Sequence, residues 1–201
     1  MTISTVHIID DDRMARESLK WLIESAGLPV QMFDHGLDFF NWVNVSMSGC
    51  VLLDVRMPDI NGMELFTKLK QRNITMPVIF VTGHADVAMA VRAMKAGAFD
   101  LIEKPYNDSL MLERVQNAIS CDKDNSRNQQ RVAGIKACAD LLTPREKEVM
   151  RHVLNSIQNK VIAVELGISI KTVELHRANL MLKMQAKTST ELVRLALIAD
   201  L

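Results

Sequence analysis

Acidic, hydroxyl and basic side chains follow short apolar runs in the first half of the chain. The set comprises Asp10, Asp11, Asp12, Asp54, Thr82 and Lys104. Several carboxylates in one crevice repel each other and form an oxygen-rich site that suits a hard divalent cation such as Mg²⁺. With that charge neutralised, an aspartate can attack an electrophilic phosphorus atom, while the lysine and the threonine stabilise phosphoryl oxygens. The residue types therefore predict phosphoryl transfer to a carboxylate.

These side chains can meet only if the runs before them are neighbouring strands of one sheet. Residues 1–120 alternate between β-branched runs and segments with apolar spacings of three and four, which predicts a parallel α/β sheet. The predicted strands are 6–9, 30–33, 50–54, 78–81 and 98–102. Ligands bind outside the carboxyl ends of such strands. We expect Asp54 to end the third strand, with Thr82 and Lys104 following the fourth and fifth.

Each member of this set also has a simpler structural interpretation. Asp12 is better placed to cap the first helix than to bind a ligand. A lone aspartate at a strand end is usually a turn residue, and Thr82 alone is an ordinary loop hydroxyl. The prediction rests on the whole set at successive strand ends.

The last 60 residues contain no strand pattern and predict a compact four-helix unit. Thr143 and Glu146 form a capping box with Pro144 at the first helical position, and Thr188 and Glu191 predict a second one. Helices over 159–166 and 170–184 are separated by Gly167, which can take the positive φ of a tight turn. This spacing fits a helix-turn-helix, although an ordinary helical hairpin has the same spacing.

Charge and composition support two domains with different roles. Hydrophobic residues make up 48% of the 201 residues, as expected for a folded protein. Residues 1–121 carry 15 acidic and 11 basic residues, a net charge of −4, whereas residues 122–201 carry 9 and 13, a net charge of +4. We assign 1–121 and 141–201 to the two domains and 122–140 to a polar, helical linker. The basic half could face nucleic acid.

Other features of the composition point to a cytoplasmic protein. No apolar run reaches the length that spans a bilayer, and the first residues lack a signal core. The odd number of cysteines, with no metal-ligand spacing, indicates free reduced thiols.

Residues 3–120 resemble the receiver domain of two-component signalling. The resemblance is carried by the acidic run after Ile9, by Leu53 to Gly62, by Val81 to His84 and by Ala93 to Pro105. It implies a flavodoxin-like, five-stranded parallel sheet with helices on both faces. It implies Asp54 as phosphoacceptor, and Mg²⁺ held by Asp11, Asp54 and the backbone carbonyl of Arg56, with Asp10 acting through water. Lys104 and Thr82 would stabilise the phosphoryl group, and the Lys104–Pro105 bond would be cis.

One position departs from the receiver pattern. Three residues before the lysine, where the family usually has an aromatic switch residue, this chain has Leu101. The coupling to Thr82 is then expected to be weaker or carried by packing. Arg56 and His84, two residues past the phosphoacceptor and the threonine, are expected at the mouth of the pocket.

Residues 141–199 resemble the DNA-binding domain of the NarL/FixJ (LuxR-type) regulators, and the whole chain is most similar to their FixJ-like branch. The resemblance implies that the helix from about Ile170 to Met184 enters the major groove. It implies base contacts from Glu174, Leu175 and Ala178, with Arg177 close by. Phosphate contacts are implied for Lys160, Thr172, His176 and Lys183, and Lys171 is a further predicted DNA-binding residue. Asn155 and Ser156 stand where a helix-ending glycine is common, and we expect them to form that turn.

The combined expectation is a two-component response regulator that accepts a phosphoryl group on Asp54 and regulates transcription. The sequence has no kinase-type nucleotide loop, so a separate histidine kinase would donate the group. We expect binding to double-stranded promoter DNA, a homodimer when phosphorylated, and contact with RNA polymerase as a further partner. No enzymatic activity is expected beyond phosphoryl acceptance and slow self-dephosphorylation. A phosphatase using Asp54, or a regulator acting on RNA or protein, are the alternatives.

Overall fold

The computed structural model describes residues 4–201, so residues 1–3 of the first predicted domain lie outside it. The chain divides into two compact units, Met1–Asn125 and Ser126–Leu201. Within the described range no helix is both long and apolar enough to cross a membrane. The three cysteines are free thiols, as the sequence predicts.

The first unit contains a five-stranded parallel sheet in the order β2-β1-β3-β4-β5. Its strands are β1 (Thr5–Ile9), β2 (Val30–Phe33), β3 (Gly49–Leu53), β4 (Val78–Thr82) and β5 (Asp100–Glu103). The helices between them are α1 (Arg13–Ser25), α2 (Gly36–Trp42), α3 (Gly62–Gln71) and α4 (Val87–Lys95), and α5 (Asp108–Asp140) follows β5. This is the predicted receiver-type α/β architecture.

Helices cover both faces of the sheet, so the central strands are buried on each side. Ile9, Leu53 and Phe80 belong to one apolar cluster with residues of α2, α3 and α4. The alternate strand residues, among them Ile8 and Leu52, belong to a second cluster with residues of α1 and α5. Because successive side chains of each strand enter opposite clusters, β3 and the first four residues of β4 are all apolar.

Several strand boundaries differ from the sequence prediction by one or two residues. Strand β3 ends at Leu53, so Asp54 is the first residue beyond it, and β5 starts at Asp100 instead of residue 98. Thr82 is the last residue of β4 and does not follow it. These shifts of one or two residues leave the polar side chains at the same edge of the sheet.

The second unit contains the four predicted helices, α6 (Pro144–Leu154), α7 (Asn159–Leu166), α8 (Ile170–Lys183) and α9 (Ser189–Ala199). They pack around one apolar core that includes Val149, Ile162, Val173 and Leu192, all with no exposed surface. A complete capping box between Thr143 and Glu146 starts α6.

The turns of this unit fulfil two of the conformational predictions and modify a third. Gly167 ends α7 with φ 66°. Ser156 takes φ 59° where the family often has glycine. At α9 the expected capping box is incomplete, since Thr188 accepts the amide of Glu191 but the Glu191 carboxylate accepts the Lys187 amide.

The structure also shortens the predicted linker at both ends. Asp122 is 2% exposed and accepts hydrogen bonds from the Ser48 hydroxyl at 2.7 Å and the Gly49 amide at 2.9 Å. Ile135 and Ala139 are buried in the core of the second unit. Because residues 122–131 are polar, the sequence gives no sign that Asp122 is buried. A buried carboxylate that accepts two hydrogen bonds cannot be distinguished by sequence from an exposed one.

Candidate functional site

Four polar side chains meet at the carboxyl edge of the sheet. Asp10, Asp54 and Thr82 are 2%, 7% and 1% exposed, at the ends of three neighbouring strands. Lys104 follows β5, and its Nζ lies 2.6 Å from Asp10 Oδ2 and 3.0 Å from Asp54 Oδ1. The Lys104–Pro105 peptide bond is cis. The structure therefore brings together the acidic pair and the lysine.

The Lys104 ammonium partly neutralises this acidic pair. Burial raises the pKa of Asp10, against the opposing effect of the hydrogen bond from Lys104. Burial by itself lowers the pKa of Lys104, but the hydrogen bonds to Asp10 and Asp54 outweigh it and hold the pKa above its ordinary value. The raised pKa favours the charged form of Lys104 beside Asp54, where the ammonium can stabilise negative charge on a phosphoryl group.

Asp54 is fixed by the backbone around it. Its amide donates to the Ile9 carbonyl at 2.8 Å, and its Oδ2 accepts the Arg56 amide at 2.6 Å. A Cβ on Gly62 would lie 2.2 Å from the Asp54 carbonyl oxygen. This close approach requires glycine at position 62. Gly62 is part of the motif that carries the receiver resemblance, but its structural role was not predicted from the sequence.

The three consecutive aspartates have different environments. Asp12 caps α1 by accepting the amides of Met14 and Ala15, as predicted. Asp10 Oδ1 accepts the Asp12 amide at 3.0 Å, and the Asp10 carbonyl oxygen accepts a hydrogen bond from Arg16. Asp11 is exposed. The Arg16 contact was missed by sequence reasoning, since it depends on the first turn of α1.

Apart from the Arg56 backbone amide, the remaining residues of the receiver pattern are not among the hydrogen-bond partners of Asp54 within residues 4–201. Thr82 Oγ1 accepts the His84 amide at 3.3 Å. Leu101 pairs with Phe80 in the sheet and packs, partly buried, against the core that includes α4. Arg56 and His84 are both exposed.

The donor set fits a small divalent cation, although its carboxylates are not grouped as a metal cluster. Among residues 4–201, no three His, Cys, Asp or Glu side chains are close enough to form a metal site on their own. Mg²⁺ commonly takes one or two carboxylates and completes its shell with carbonyl oxygens and water. Asp10, Asp11, Asp54 and the Arg56 carbonyl supply ligands of that chemistry.

The second unit presents part of α8 to solvent. Ser169 caps the helix through the Thr172 amide, and its hydroxyl lies 2.8 Å from that of Thr172. Val173 and Leu180 are buried in the core. The exposed residues predicted to face DNA are Lys171, Glu174, Leu175 and Ala178 on α8 and Lys160 on α7. Leu175 is 60% exposed, so its side chain is available for an intermolecular contact.

Two residues predicted to bind DNA form hydrogen bonds within the protein. Arg177 donates to Asn159 Oδ1 at 2.9 Å and to the Ser189 hydroxyl at 2.7 Å. Lys183 pairs at 2.7 Å with Glu146, which is 3% exposed. The hydrogen bond from Lys183 lowers the pKa of Glu146. These contacts hold α8 against α6, α7 and α9, which the sequence could not reveal because the partners are 12 to 37 residues away.

His176 is half-buried, so the structure places it at the margin of the exposed α8 surface. One residue on α8 that sequence reasoning did not single out is Leu182, which is 77% exposed. The exposed surface of α8 is therefore a mixture of charged and apolar side chains, as base edges and thymine methyl groups require.

Comparisons with known proteins agree with both halves of this description. A family model of the response regulator receiver domain matches residues 6–116, and a model of the bacterial regulatory proteins of the luxR family matches residues 140–196. The chain is 40% identical over 196 residues to the transcriptional regulatory protein FixJ of Bradyrhizobium diazoefficiens, covering 98% of this chain and 96% of that protein. It is 40% identical to the response regulator protein TodT of Pseudomonas putida, covering 95% and 84% of the two chains. A solved structure of the response regulator StyR superimposes with a TM-score of 0.88 at 34% identity, covering 97% and 98%.

Proposed function

The chain belongs to the two-component response regulators that join a receiver domain to a LuxR-type DNA-binding domain, and we propose that Asp54 is its phosphoacceptor. The observation that carries this proposal is Lys104, whose ammonium bridges the buried carboxylates of Asp10 and Asp54 at the carboxyl edge of the sheet. Asp54 directly follows the central strand β3, between Asp10 after β1 and Thr82 at the end of β4. A separate histidine kinase supplies the phosphoryl group.

In the proposed reaction, an Asp54 carboxylate oxygen attacks phosphorus as the bond from phosphorus to the kinase histidine breaks. The imidazole leaves with the bonding electron pair and takes up a proton, and Asp54 becomes an aspartyl phosphate. Mg²⁺, held by Asp11, Asp54 and the Arg56 carbonyl with Asp10 acting through water, would neutralise charge on the oxygens. Lys104 then pairs with a phosphoryl oxygen, and the Thr82 hydroxyl donates to another.

The signal then passes to the surface around α4. Drawing Thr82 toward the phosphoryl group removes the hydroxyl from the His84 amide, at the start of the segment that leads into α4. Leu101 on β5 packs against the same apolar cluster as Met89 and Ala93 of α4. We propose that repacking here favours a receiver dimer, which doubles the DNA contacts. Val87 and Met94 are 82% and 49% exposed on α4 and can supply apolar contact.

In the DNA-binding unit, the proposal assigns base contacts to Glu174, Leu175 and Ala178 and phosphate contacts to Lys160 and Lys171. Glu174 can accept from cytosine, while Leu175 and Ala178 can touch thymine methyl groups. Thr172 and His176 remain candidates for phosphate contact at the margin of this surface. Arg177 and Lys183 are proposed to act mainly by holding α8 in place, since both are already paired. RNA polymerase is a proposed further partner. Binding to promoter DNA supports a cytoplasmic location.

The phosphoacceptor assignment is tested by exposing the purified chain to a small phosphodonor such as acetyl phosphate, with and without Mg²⁺. Peptide mapping by mass spectrometry should place one phosphoryl group on Asp54, and Asp54→Asn should remove it. Asp34→Asn is the matched control, because Asp34 also directly follows a strand but is exposed. Phosphorylation of Asp54→Asn to the wild-type extent would refute the assignment. Turnover of the donor in large excess over protein would instead favour a phosphatase.

A further inference from the structure

Helix α2 is held at both ends by side chains from other elements. Its seven residues begin after His35, whose side chain makes no capping hydrogen bond in the described structure. Asp59 takes over this role, since its Oδ2 accepts the Leu37 amide at 2.8 Å. At the other end, Arg72 donates to the Phe40 carbonyl at 2.7 Å and stacks 3.8 Å above the Phe40 ring. The helix therefore depends on Asp59 for its first turn.

Asp59 belongs to the phosphoacceptor loop, residues 55–61, which joins β3 to α3. Its second oxygen, Oδ1, is buried and has no hydrogen-bond partner within residues 4–201. Asp59 as a whole is half-buried, but this one oxygen is removed from water without a partner, and such atoms are rare unless their surroundings fix them in place. The orientation that lets Oδ2 cap α2 therefore leaves Oδ1 unpaired and out of contact with water.

Close packing joins the same two elements. An added Cβ on Gly36 would lie 2.7 Å from Ile60 Cγ2 and 3.0 Å from Met57 Cε. Met57 and Ile60 are both buried members of the phosphoacceptor loop. The first turn of α2 therefore lies directly against the loop, with the Asp59 carboxylate as the polar link between them.

The phosphoacceptor loop in turn controls the groups around Asp54. The Arg56 amide donates to Asp54 Oδ2 at 2.6 Å, and the carbonyl of the same residue is the proposed cation ligand. A shift of the loop would move both groups together. We infer that Asp59 is a positioning residue for the divalent-cation site, because its bond to α2 anchors the phosphoacceptor loop; the inference rests on the proposed function of Asp54.

The expected consequence is a loss of cation affinity with the direct ligands intact. Replacing groups that orient metal ligands commonly weakens binding by about 10- to 100-fold. Asp59 acts on the Arg56 carbonyl through the backbone, so we expect Asp59→Ala to weaken Mg²⁺ binding by about 10-fold. Asp59→Asn keeps one acceptor oxygen for the Leu37 amide and should lose less.

The test is isothermal titration calorimetry of Mg²⁺ into the full chain, for wild type, Asp59→Ala and Asp59→Asn. Asp38→Ala is the charge control, because Asp38 is an exposed acid in the first turn of the same helix. Arg72→Ala is the stability control, because it releases the other end of α2. Hydrogen exchange of the metal-free protein provides a second readout. It should be faster across residues 55–61 in Asp59→Ala than in Arg72→Ala.

Wild-type Mg²⁺ affinity in Asp59→Ala, or an equal loss in Arg72→Ala, would overturn the inference. In the second case α2 would be loosened as a whole and Asp59 would have no specific role. Should Asp59→Ala fail to fold, the Asp59→Asn titration decides the question, with wild-type affinity and wild-type exchange counting against it. If the wild-type chain itself binds no Mg²⁺, the proposed function fails and not merely the role of Asp59.

Discussion

Replacing Asp122 should destabilise the receiver unit although the residue lies in a polar, charged stretch of sequence. Asp122→Ala removes an acceptor for the Ser48 hydroxyl and leaves the Gly49 amide buried without its carboxylate. A hydrogen bond to a charged group contributes about 1.5–3 kcal/mol, and an unsatisfied buried donor costs about 1–3 kcal/mol. Because Ser48 is only half-buried and can turn to water, we expect a total loss of about 3 kcal/mol.

Urea denaturation followed by tryptophan fluorescence measures this loss selectively. Both tryptophans, Trp21 and Trp42, lie in the first unit, so the signal reports on that unit. With a urea dependence of about 2 kcal/mol per molar, the unfolding midpoint should fall by about 1.5 M. Asp122→Asn retains one oxygen for the Gly49 amide and should lose roughly half as much.

The matched control for this prediction is Glu113→Ala, which removes an exposed acid from the same helix and should leave the midpoint unchanged. An unchanged midpoint in Asp122→Ala would show that the buried carboxylate makes no net contribution to the free energy of unfolding. An equal fall in Glu113→Ala would show that helix charge, and not the two hydrogen bonds, is responsible.

Three further perturbations have expected outcomes. Burial lowers the pKa of His7 from 6.5 to about 4. Between these two pH values His7 is protonated in the unfolded chain but neutral in the folded one. Receiver stability should therefore fall by about 3 kcal/mol over that window, and urea denaturation of His7→Leu should show a flatter pH dependence. Gly62→Ala should destabilise the receiver by about 2 kcal/mol, because the added Cβ would collide with the backbone. Gly134 lies within a helix with open space around it, so Gly134→Ala should stabilise its unit by about 0.5–1 kcal/mol. Calorimetry should show a lower melting temperature for the first variant and a higher one for the second. Leu175→Ala should weaken binding to a DNA duplex without lowering the melting temperature, while Arg177→Ala should lower both; a melting loss in the first variant, or none in the second, would contradict the assigned roles.

The architecture and the acidic pocket could be predicted because they depend on local patterns. Alternating strands and helices define a parallel sheet, and the carboxyl ends of its strands must lie on one edge. Asp10, Asp54, Thr82 and Lys104 come together there for that reason. The capping roles of Asp12 and Thr143 likewise depend on residues within three positions.

The contacts that sequence reasoning missed join residues far apart in the chain. Asp59 caps a helix 22 residues before it, and Asp122 binds an amide 73 residues away. The resemblance to the LuxR-type domain assigns Lys183 to a DNA phosphate, whereas its ion pair with Glu146 arises only in the folded packing of α6 and α8. Side-chain type gives the chemistry of such groups, whereas tertiary structure decides their partners.

Phosphorylation-dependent DNA binding by wild type and Asp54→Asn tests the central claim most directly. The probe is a fluorescent duplex selected from random sequence by the wild-type chain in the presence of acetyl phosphate and Mg²⁺, and the readout is fluorescence anisotropy. Couplings between sites typically change affinity by about 5- to 150-fold, and we expect acetyl phosphate to strengthen wild-type binding by at least about tenfold. Asp54→Asn should keep the affinity of the unphosphorylated chain under both conditions. Equal strengthening of the variant by acetyl phosphate would contradict the assignment of Asp54 as the residue that controls DNA binding.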